Sequence, residues 1–423
     1  MVGLLLALAL PRPAAAGDLA SLRDKGVLRV ATSGDYAPFS VAKDGGFSGF
    51  DVEMMNRLAH DLGMRVEYVR FRWPDLAKEL ADKQVDLVAS GITVQPDRAL
   101  LGRYTRPYAI TGAMALVRSE ERARLADRLA LDREGVRIVV NRGGHLEQVA
   151  RRQFRQATIE TLPDNGKLVE RVLVGTADAA LSDSAEARAW ERKELATVGP
   201  FTRDRKALLV RRDAPELAQW IDGWLRERER DRWLADLRQK WFGDSMFYAA
   251  AADREAVLAD VDLRCQMMPM VAATKVAHEL PILDQAQEER VLERSQQTAR
   301  AVGLNPAEVA RLFAALIHAA KVIEIAGGTD PHASAPPLEQ LRTAIGDVDT
   351  HLIRQLHEAV RTVTANEWRA GVREGVQVDG LADTVKAEIA EALVKVRTLV
   401  RVPPTPATVA PAPEQPAPHG GTP

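Results

Sequence analysis

Cysteine is almost absent from the 423-residue chain: Cys265 is the only one, so neither an intrachain disulfide nor a cysteine-based metal site can form. Aromatic residues make up only 5% of the sequence, and the formal net charge is −2. There is no dense stripe of Lys and Arg interleaved with aromatics, which excludes nucleic acid as an expected partner. No apolar run approaches the roughly 20 residues of a transmembrane helix, so we expect no stable membrane span. Nothing in the sequence indicates a metal ion or a cofactor.

The first residues have the character of a targeting segment. An apolar run at residues 2–10 is followed at 11–16 by small residues that resemble a signal-peptidase site. This pattern predicts a signal peptide over residues 1–17 and export to the periplasm. The Lys or Arg that usually precedes the apolar run is missing. The alternative, a membrane anchor, would need about 20 apolar residues.

The length and the hydrophobic pattern predict two domains of different classes. At roughly 100–200 residues per domain, the chain should contain two or three folding units. Residues 26–116 alternate helical patterns with short apolar runs, such as a helix over 50–62 and a strand over 64–69. This alternation predicts an α/β domain with mostly parallel sheets. A 3.6-residue period then predicts an all-α domain over 250–400, and the Pro- and Ala-rich residues 401–423 should form a disordered tail.

Several patterns in the front half resemble the extracellular solute-binding family that recognises amino acids. They are Asp-Tyr-Ala-Pro-Phe-Ser at residues 35–40, Gly-Phe-Asp-Val at 49–52, and Asp-Leu-Val-Ala-Ser-Gly-Ile-Thr at 86–93, followed by Arg98. The resemblance implies a two-lobe α/β domain over residues 18–246 with the type II periplasmic-binding-protein fold. The first lobe would span about 18–118 and 203–246, the second about 119–202, and ligand would bind in the cleft between them.

The same resemblance assigns a ligand-binding role to Arg98. A guanidinium group pairs with a carboxylate through two hydrogen bonds, and Ser90 and Thr93 would add further hydrogen bonds to the ligand. The alternative is a surface arginine in a loop beside Asp97.

Residues 181–188, Leu-Ser-Asp-Ser-Ala-Glu-Ala-Arg, resemble the cyclohexadienyl dehydratase branch of that family, in which a glutamate at the Glu186 position is the general acid. Prephenate or arogenate would lose its ring carboxylate as CO2 while the ring hydroxyl leaves. The acid must then be protonated near neutral pH, which burial or a negative neighbour such as Asp183 would cause. The alternative is a solvent-facing glutamate paired with Arg188 or Arg192.

The dehydratase resemblance implies roles for three further side chains. Tyr36 would orient the acid, Trp73 would pack on the substrate ring, and Asn141 would hold a carboxylate or the leaving oxygen. The chain departs from the branch at His145, where a threonine is usual. We expect His145 to be a packing or surface residue, and the alternative is a catalytic histidine.

Two cations in the rear half, Arg264 and Lys275, are eleven residues apart. At 100° per residue they would lie on the same face of one helix, and Pro269 between them could kink it. Their neighbours are apolar, and buried charge is costly without a partner, so an anionic ligand would be a suitable partner. The alternative is that both are solvated charges on a helix surface.

These cations belong to a pattern that resembles the exported class of helical chorismate mutases. The other parts are Leu-Pro-Ile-Leu-Asp at residues 280–284, Gly-Leu-Asn-Pro at 303–306, and Pro-Leu-Glu-Gln-Leu-Arg at 337–342. By resemblance, Arg264 and Arg342 would hold the carboxylates of chorismate, and Lys275 would reach its ether oxygen. Glu324 would bind the hydroxyl group, and Asp284 would belong to the same site.

One position departs from the mutase pattern. The family has an arginine where this chain has Gln287, and Arg290, one turn further along, is the candidate replacement. The rearrangement of chorismate involves no proton transfer, so cations and donors placed around it are sufficient for catalysis. The departure leaves open whether the mutase is fully active.

The two resemblances together predict a bifunctional periplasmic enzyme, an isomerase and a lyase, with chorismate, prephenate and arogenate as its small-molecule substrates. The rival interpretation is an amino-acid-binding receptor with a helical interaction domain. The sequence leaves open whether the protein is a monomer or a homo-oligomer.

Overall fold

The computed structural model describes residues 18–190, 192–244, 249–327, 335–378 and 380–399. The predicted signal peptide, residues 1–17, and the predicted tail, residues 401–423, lie outside the described residues. Among the helices within these ranges, none is both long enough and apolar enough to cross a membrane.

The strands of the described chain lie in its front half. They are β1 (Val27–Thr32), β2 (Asp35–Tyr36), β3 (Ser40–Lys43), β4 (Gly46–Ser48), β5 (Arg65–Arg70), β6 (Leu87–Val88), β7 (Gly102–Tyr104), β8 (Ala109–Thr111), β9 (Ala113–Arg118), β10 (Arg137–Asn141), β11 (Thr158–Leu162), β12 (Ala179–Asp183), β13 (Leu195–Val198), β14 (Asp204–Lys206) and β15 (Leu209–Arg211). Two five-stranded sheets, β5-β1-β6-β15-β7 and β11-β10-β12-β9-β13, form the centres of two lobes. A two-stranded sheet of β8 and β14 lies where the chain crosses between the lobes.

Short helices cover these sheets. They are α1 (Asp18–Lys25), α2 (Phe50–Leu62), α3 (Leu76–Ala81) and α4 (Pro96–Ala99) before the first crossing, then α5 (Arg128–Leu131), α6 (His145–Gln153), α7 (Leu168–Leu173) and α8 (Ser184–Ala189) in the second lobe, and finally α9 (Pro215–Arg230) and α10 (Trp233–Phe242). The two-lobe α/β architecture predicted from the sequence is confirmed.

The central sheets are mixed, so the prediction of mostly parallel sheets is wrong. In the first lobe β1 pairs in parallel with β5 and β6, but β15 runs antiparallel to β6 and β7. In the second lobe β10 pairs in parallel with β11 and β12, but β9 runs antiparallel to β12 and β13. The antiparallel strands, β9 and β15, each follow a crossing directly and so enter their sheet from the opposite end. Because β9 lies in the second sheet, the first lobe ends at β8, earlier than the predicted residue 118.

Helix α2 shows how the local sequence determines an element. Its apolar side chains recur at helical spacing, and Phe50, Met54, Leu58 and Leu62 are all buried against the first sheet. Gly63 ends the helix in the left-handed conformation, with φ of 73°, which glycine adopts at little cost. The predicted helix over residues 50–62 is confirmed.

The rear half is helical, as predicted from its 3.6-residue period. Its helices in the described ranges are α11 (Ala249–Gln266), α12 (Met268–Ala277), α13 (Gln285–Val302), α14 (Pro306–Gly327), α15 (Leu338–Ala359), α16 (Ala365–Gly375) and α17 (Asp383–Lys395). The single helix predicted to carry Arg264 and Lys275 is instead two. Pro269 lies in the first turn of α12, where its missing N–H group is tolerated, and the chain breaks just before it.

The two halves share a continuous interior. One buried apolar cluster includes Val88 and Leu209 of the first lobe together with Val257 and Val261 of α11. The rear domain therefore packs on the first lobe through apolar contacts as well as charged ones.

Strand β14 carries a charged contact between the domains. At its centre, Arg205 donates to Glu255 and Asp262 of α11, each at 3.1 Å, and to the backbone carbonyl of the last residue of α16 at 3.0 Å. All three side chains are buried. Successive side chains of a strand point to opposite sides, so Asp204 and Lys206 face away from the rear domain.

Two further buried contacts join the domains. Arg106, which precedes β8, pairs with Asp253 of α11 at 2.7 Å. His351 of α15 lies between Asp222 of α9, at 2.9 Å, and Asp260 of α11, at 2.7 Å. Burial lowers the pKa of His351, but the two carboxylates outweigh it and raise the pKa to about 10. His351 is therefore a cation shared between the domains at neutral pH.

Candidate functional sites

A cleft between the two lobes brings together six of the residues that the sequence assigns to a substrate site. Its walls are Tyr36, Trp73, Gly91, Thr93 and Arg98 from the first lobe, Asn141, Gly144, His145, Leu146, Asn165 and Glu186 from the second lobe, and Lys206 from β14. The cleft thus combines an aromatic wall, an arginine, a lysine and a glutamate.

Glu186 lies in the first turn of α8 with its carboxyl group turned into the protein. Its side chain is only 3% exposed, and the Ser182 hydroxyl donates to Oε2 at 2.7 Å while the Asn165 amide donates to Oε1. Burial raises the pKa of Glu186 to about 8, with a further contribution from the charge of Asp183, although the two hydrogen bonds oppose the rise. The acid is therefore protonated at neutral pH. Glu186 is therefore not the solvent-facing partner of Arg188, because Arg188 donates to the carbonyl of Phe242 instead.

Arg98 forms the cationic end of the first-lobe wall. Its Nη1 donates to the carbonyl oxygen of Thr93 at 3.2 Å, and its guanidinium carbon lies 5.8 Å from the ring centroid of Trp73. Trp73 in turn packs edge-on against Tyr36, with ring centroids 5.8 Å apart. A partly exposed guanidinium beside an aromatic wall is suited to hold the carboxylate of a ligand that carries an apolar ring.

A buried ion pair lies beside this wall. The ammonium group of Lys206 is 3.0 Å from Oδ2 of Asp183, and it also donates to the Thr93 hydroxyl at 2.8 Å and to the Tyr36 hydroxyl at 3.2 Å. Asp183 is fully buried and accepts two further hydrogen bonds, from the Thr111 hydroxyl and from a backbone N–H group. Lys206 lines the cleft, whereas Asp183 lies behind it.

His145 connects the lobes across the cleft. Its Nε2 is 3.0 Å from Oδ1 of Asp204 in β14, and its Nδ1 is 3.0 Å from the amide nitrogen of Gln95 in the first lobe. His145 is thus packed between the lobes, and it also lines the cleft and contacts the connecting strand. Within the described ranges, no group of three or more His, Cys, Asp or Glu side chains could hold a metal ion.

A second site lies in the helical domain around Lys275. Its ammonium group is 2.7 Å from Oε2 of Glu324 in α14 and donates to the carbonyl of Ile282 at the same distance. Burial raises the pKa of Glu324, although Lys275 and the nearby Arg264 oppose that rise. A lysine ammonium has three donors, so one remains for a ligand acceptor after these two contacts.

The other predicted residues of this domain are paired with protein carboxylates. Arg264 is 2.8 Å from Asp349 of α15, and Arg342 is 2.8 Å from Asp284. Asp284 also caps α13 by accepting the N–H group of Gln287 at 3.0 Å. Lys275 and Arg264 both act on Glu324, so these three side chains lie close together. Asp284, which pairs with Arg342, follows Ile282 by two residues, and Lys275 contacts the carbonyl of Ile282.

Comparison with known families gives the front half an assignment. Residues 28–244, more than half of the chain, match the family described as bacterial extracellular solute-binding proteins, family 3. The chain belongs to this family. The helical half carries a further match, to chorismate mutase type II, over residues 255–325.

Known relatives of the solute-binding domain include an enzyme and transport proteins. The cyclohexadienyl dehydratase of Pseudomonas aeruginosa is 36% identical over 224 residues, 52% of this chain and 83% of the relative. The L-cystine-binding protein TcyJ of Escherichia coli K12 is 28% identical over 232 residues, 54% of this chain and 86% of the relative. Among solved structures, the ancestral amino acid-binding protein AncCDT-1, described as a precursor of cyclohexadienyl dehydratase, is 31% identical with a TM-score of 0.51. That comparison covers 53% of this chain and 99% of the ancestral one.

Sequence reasoning missed several residues of the solute-binding domain. Lys206 immediately precedes the apolar run of β15, and a lysine at the edge of a buried strand is the signal that could have identified it. Ser182, in β12, lies in the pattern at residues 181–188 that carried the resemblance, but its contact with the acid and that of Asn165 depend on how these two segments pack. Ser90, by contrast, is bonded to Ser33 at 2.8 Å and does not line the cleft.

Proposed function

We propose that the protein is an exported bifunctional enzyme of aromatic biosynthesis. The helical domain rearranges chorismate to prephenate, and the solute-binding domain converts prephenate to phenylpyruvate, or arogenate to phenylalanine, with loss of CO2 and water. The dehydratase among its relatives, the match to chorismate mutase type II and the consecutive order of the two reactions support this pairing. Export through residues 1–17 is in keeping with the extracellular character of the family.

The observation that carries the dehydratase proposal is a protonated, buried carboxylic acid facing the cleft. The C4 hydroxyl of prephenate leaves only as water, because hydroxide is a poor leaving group. Glu186, with a pKa of about 8, carries the proton needed at neutral pH. A binding protein has no use for such an acid, since a buried carboxyl group held away from its usual ionised state costs free energy.

The chemistry requires one proton and no redox partner. Glu186 protonates the C4 hydroxyl, the bond from C4 to that oxygen breaks, and the electron pair of the bond between C1 and the ring carboxylate moves into the ring. CO2, water and an aromatic ring result. A proton from solvent then restores Glu186. The reaction as a whole consumes one proton, and Ser182 and Asn165 hold the acid in one orientation through the cycle.

The remaining cleft residues orient the substrate. Arg98 holds the side-chain carboxylate, and Trp73 and Tyr36 form the wall against which the ring packs. Asn141, on the opposite lobe, is placed to donate to the leaving oxygen or to the ring carboxylate. This division puts the binding of the side chain on one lobe and the acid on the other, so the reactive arrangement exists only when the lobes are closed.

The mutase proposal rests on the cation cluster of the helical domain. Lys275 donates to the ether oxygen of chorismate, where negative charge develops in the transition state, and Glu324 binds the hydroxyl group. Arg264 and Arg342 hold carboxylates once the substrate displaces part of their contacts with Asp349 and Asp284. Arg290 does not replace the arginine missing at Gln287 in this arrangement, because its exposed side chain donates to Gln287 itself.

One assay separates the enzyme from a receptor. Purified protein is incubated with prephenate, and phenylpyruvate is followed by its absorbance in alkali, for the unmodified protein, for Glu186→Gln, and for Glu170→Gln as a control. Glu170 is an exposed carboxyl group of the same lobe, on α7. We expect the unmodified protein and the control to form product, and Glu186→Gln to lose at least about 100-fold in kcat, the scale of general acid catalysis. Binding of prephenate without product in the unmodified protein would make it a receptor.

A further inference from the structure

The cations assigned to the mutase site are each balanced by an acid of the protein. Each charged nitrogen lies 2.7 or 2.8 Å from a carboxylate oxygen, in the pairs Arg264–Asp349, Lys275–Glu324 and Arg342–Asp284. These charges cancel within each pair, whereas chorismate brings two carboxylates of its own. Anions removed from water need a positive partner. The site therefore holds a dianion better if it contains a further cation that no acid of the protein neutralises.

Arg294 of α13 is such a cation. Among the described residues, no carboxylate forms an ion pair with it. Arg294 follows Gln287 by seven residues, about 20° short of two full turns, so both side chains lie on the same face of the helix. Helical side chains lean toward the N-terminus, and the Nε of Arg294 donates to the carbonyl oxygen of Arg290 at 3.3 Å, one turn earlier. The guanidinium group of Arg294 is therefore directed back toward position 287.

Helix α15 aligns Arg294 with the two arginines assigned to the substrate. Arg342, Gly346 and Asp349 are spaced by four and three residues, so they lie on one face of α15. A Cβ atom on Gly346 would lie 3.7 Å from Nη1 of Arg294, so the guanidinium group lies beside this glycine. Burial raises the pKa of Asp349, and the charges of Arg264 and Arg294 both oppose that rise. Three guanidinium groups thus lie along one face of α15.

We propose that Arg294 binds a carboxylate of chorismate and so supplies the cation that the mutase site lacks at Gln287. The inference rests on the proposed mutase function and adds a substrate-binding residue to it. Arg264 and Arg342 must give up part of their contacts with protein acids before they bind a ligand. Arg294 has no such partner among the described residues, so its charge-assisted hydrogen bonds to a ligand carboxylate carry no such cost.

The first experiment measures kcat/KM for chorismate, followed by its absorbance, in the full-length protein. Loss of the charge-assisted hydrogen bonds should lower kcat/KM in Arg294→Ala by about 10- to 100-fold. Arg300→Ala is the matched control, because Arg300 is an exposed arginine in the last turn of the same helix, and its kcat/KM should be unchanged. Both variants should unfold at the midpoint of the unmodified protein. An undiminished rate in Arg294→Ala would overturn the proposal.

A double variant separates binding of the substrate from support of the helix packing. Gln287→Arg, added to Arg294→Ala, returns a guanidinium group to the same face of α13, and kcat/KM should recover by at least about tenfold. If Arg294 only supported the packing of α13 on α15, an arginine at 287 would not replace it. A loss of rate that Gln287→Arg fails to reverse therefore counts against the proposal.

Binding decides the inference if the unmodified protein does not turn chorismate over. The mutase function then fails, but chorismate becomes a stable ligand whose affinity is measured by isothermal titration calorimetry. Arg294→Ala should weaken this affinity by at least about tenfold, and Arg300→Ala should leave it unchanged. Equal affinity in the unmodified protein and in Arg294→Ala would refute the role of Arg294.

Discussion

The buried contact of Arg205 with the rear domain predicts that one change in α11 weakens the whole protein. Glu255 pairs with Arg205 at 3.1 Å and with Arg203 at 2.9 Å, and its side chain is 2% exposed. Glu255→Gln keeps the shape of the side chain but removes the charge. Breaking a buried ion pair from one side costs about 3–5 kcal/mol. Because Asp262 still contacts Arg205 at 3.1 Å, we expect the lower end, about 3 kcal/mol.

The loss is measured by thermal and urea unfolding, followed by tryptophan fluorescence. At about 2–4 °C per kcal/mol for units of this size, the midpoint should fall by roughly 6–12 °C. Glu391→Gln is the matched control, because Glu391 also pairs with an arginine, Arg369, but on the exposed surface of the same domain. Exposed pairs contribute little to stability, so the control should unfold with the unmodified protein.

The dehydratase rate provides an independent measure of the same contact. Arg205 and Lys206 are consecutive in β14, so a shift of the strand moves a residue of the cleft. We expect Glu255→Gln to lower kcat/KM for prephenate although Glu255 lies in the other domain. The reasoning is refuted if Glu255→Gln unfolds at the same midpoint as Glu391→Gln and retains full dehydratase activity.

Three further predictions concern the acid, the mutase and the backbone. Because Glu186 acts in its protonated form and its pKa is raised to about 8, kcat/KM for prephenate should be level below pH 8 and fall with rising pH above it; a rate that rises through pH 8 would contradict the acid role. Lys275→Ala should remove chorismate turnover and leave prephenate turnover intact, while Lys395→Ala, an exposed lysine of the same domain, should change neither. Gly49→Ala should destabilise by about 3 kcal/mol, since φ is 135° and a Cβ atom would lie 2.3 Å from a backbone oxygen. Gly223→Ala in α9, where nothing lies within 4 Å, should stabilise by about 0.5–1 kcal/mol, which urea unfolding can resolve.

Elements that contain several repeats of an apolar period and a clear end signal could be predicted from the sequence. Elements of two or three residues could not. The helix over residues 50–62 has three turns of apolar spacing and a terminal glycine, so both its type and its bounds follow from local physics. Strand β14 has three residues, too few for any period, and its role emerges only when the chain has crossed between lobes twice. The prediction of parallel pairing for β9 and β15 was wrong for the same reason. A local sequence pattern carries no information on the end of the sheet from which a strand enters.

Site residues that stand in a local sequence pattern could be predicted, and contacts between residues distant in sequence could not. Glu186 and Arg98 are recognisable because each stands in a pattern of neighbouring residues. The pairing of Lys206 with Asp183, and that of Arg264 with Asp349, joins residues that are distant in sequence, and it depends on how whole elements pack. The break between α11 and α12 could have been predicted from the sequence, because Pro269 causes it.

Strand β14 also constrains how such a fusion can arise or be taken apart. A guanidinium buried in the connecting strand is tolerable because the acids at 255 and 262 pair with it, so a front domain cut from this chain would return Arg205 to water. In the intact chain, however, a change at 205, 255 or 262 alone leaves a buried charge without its full set of partners. We therefore expect the residues at 205, 255 and 262 to change together in chains that have this two-domain arrangement.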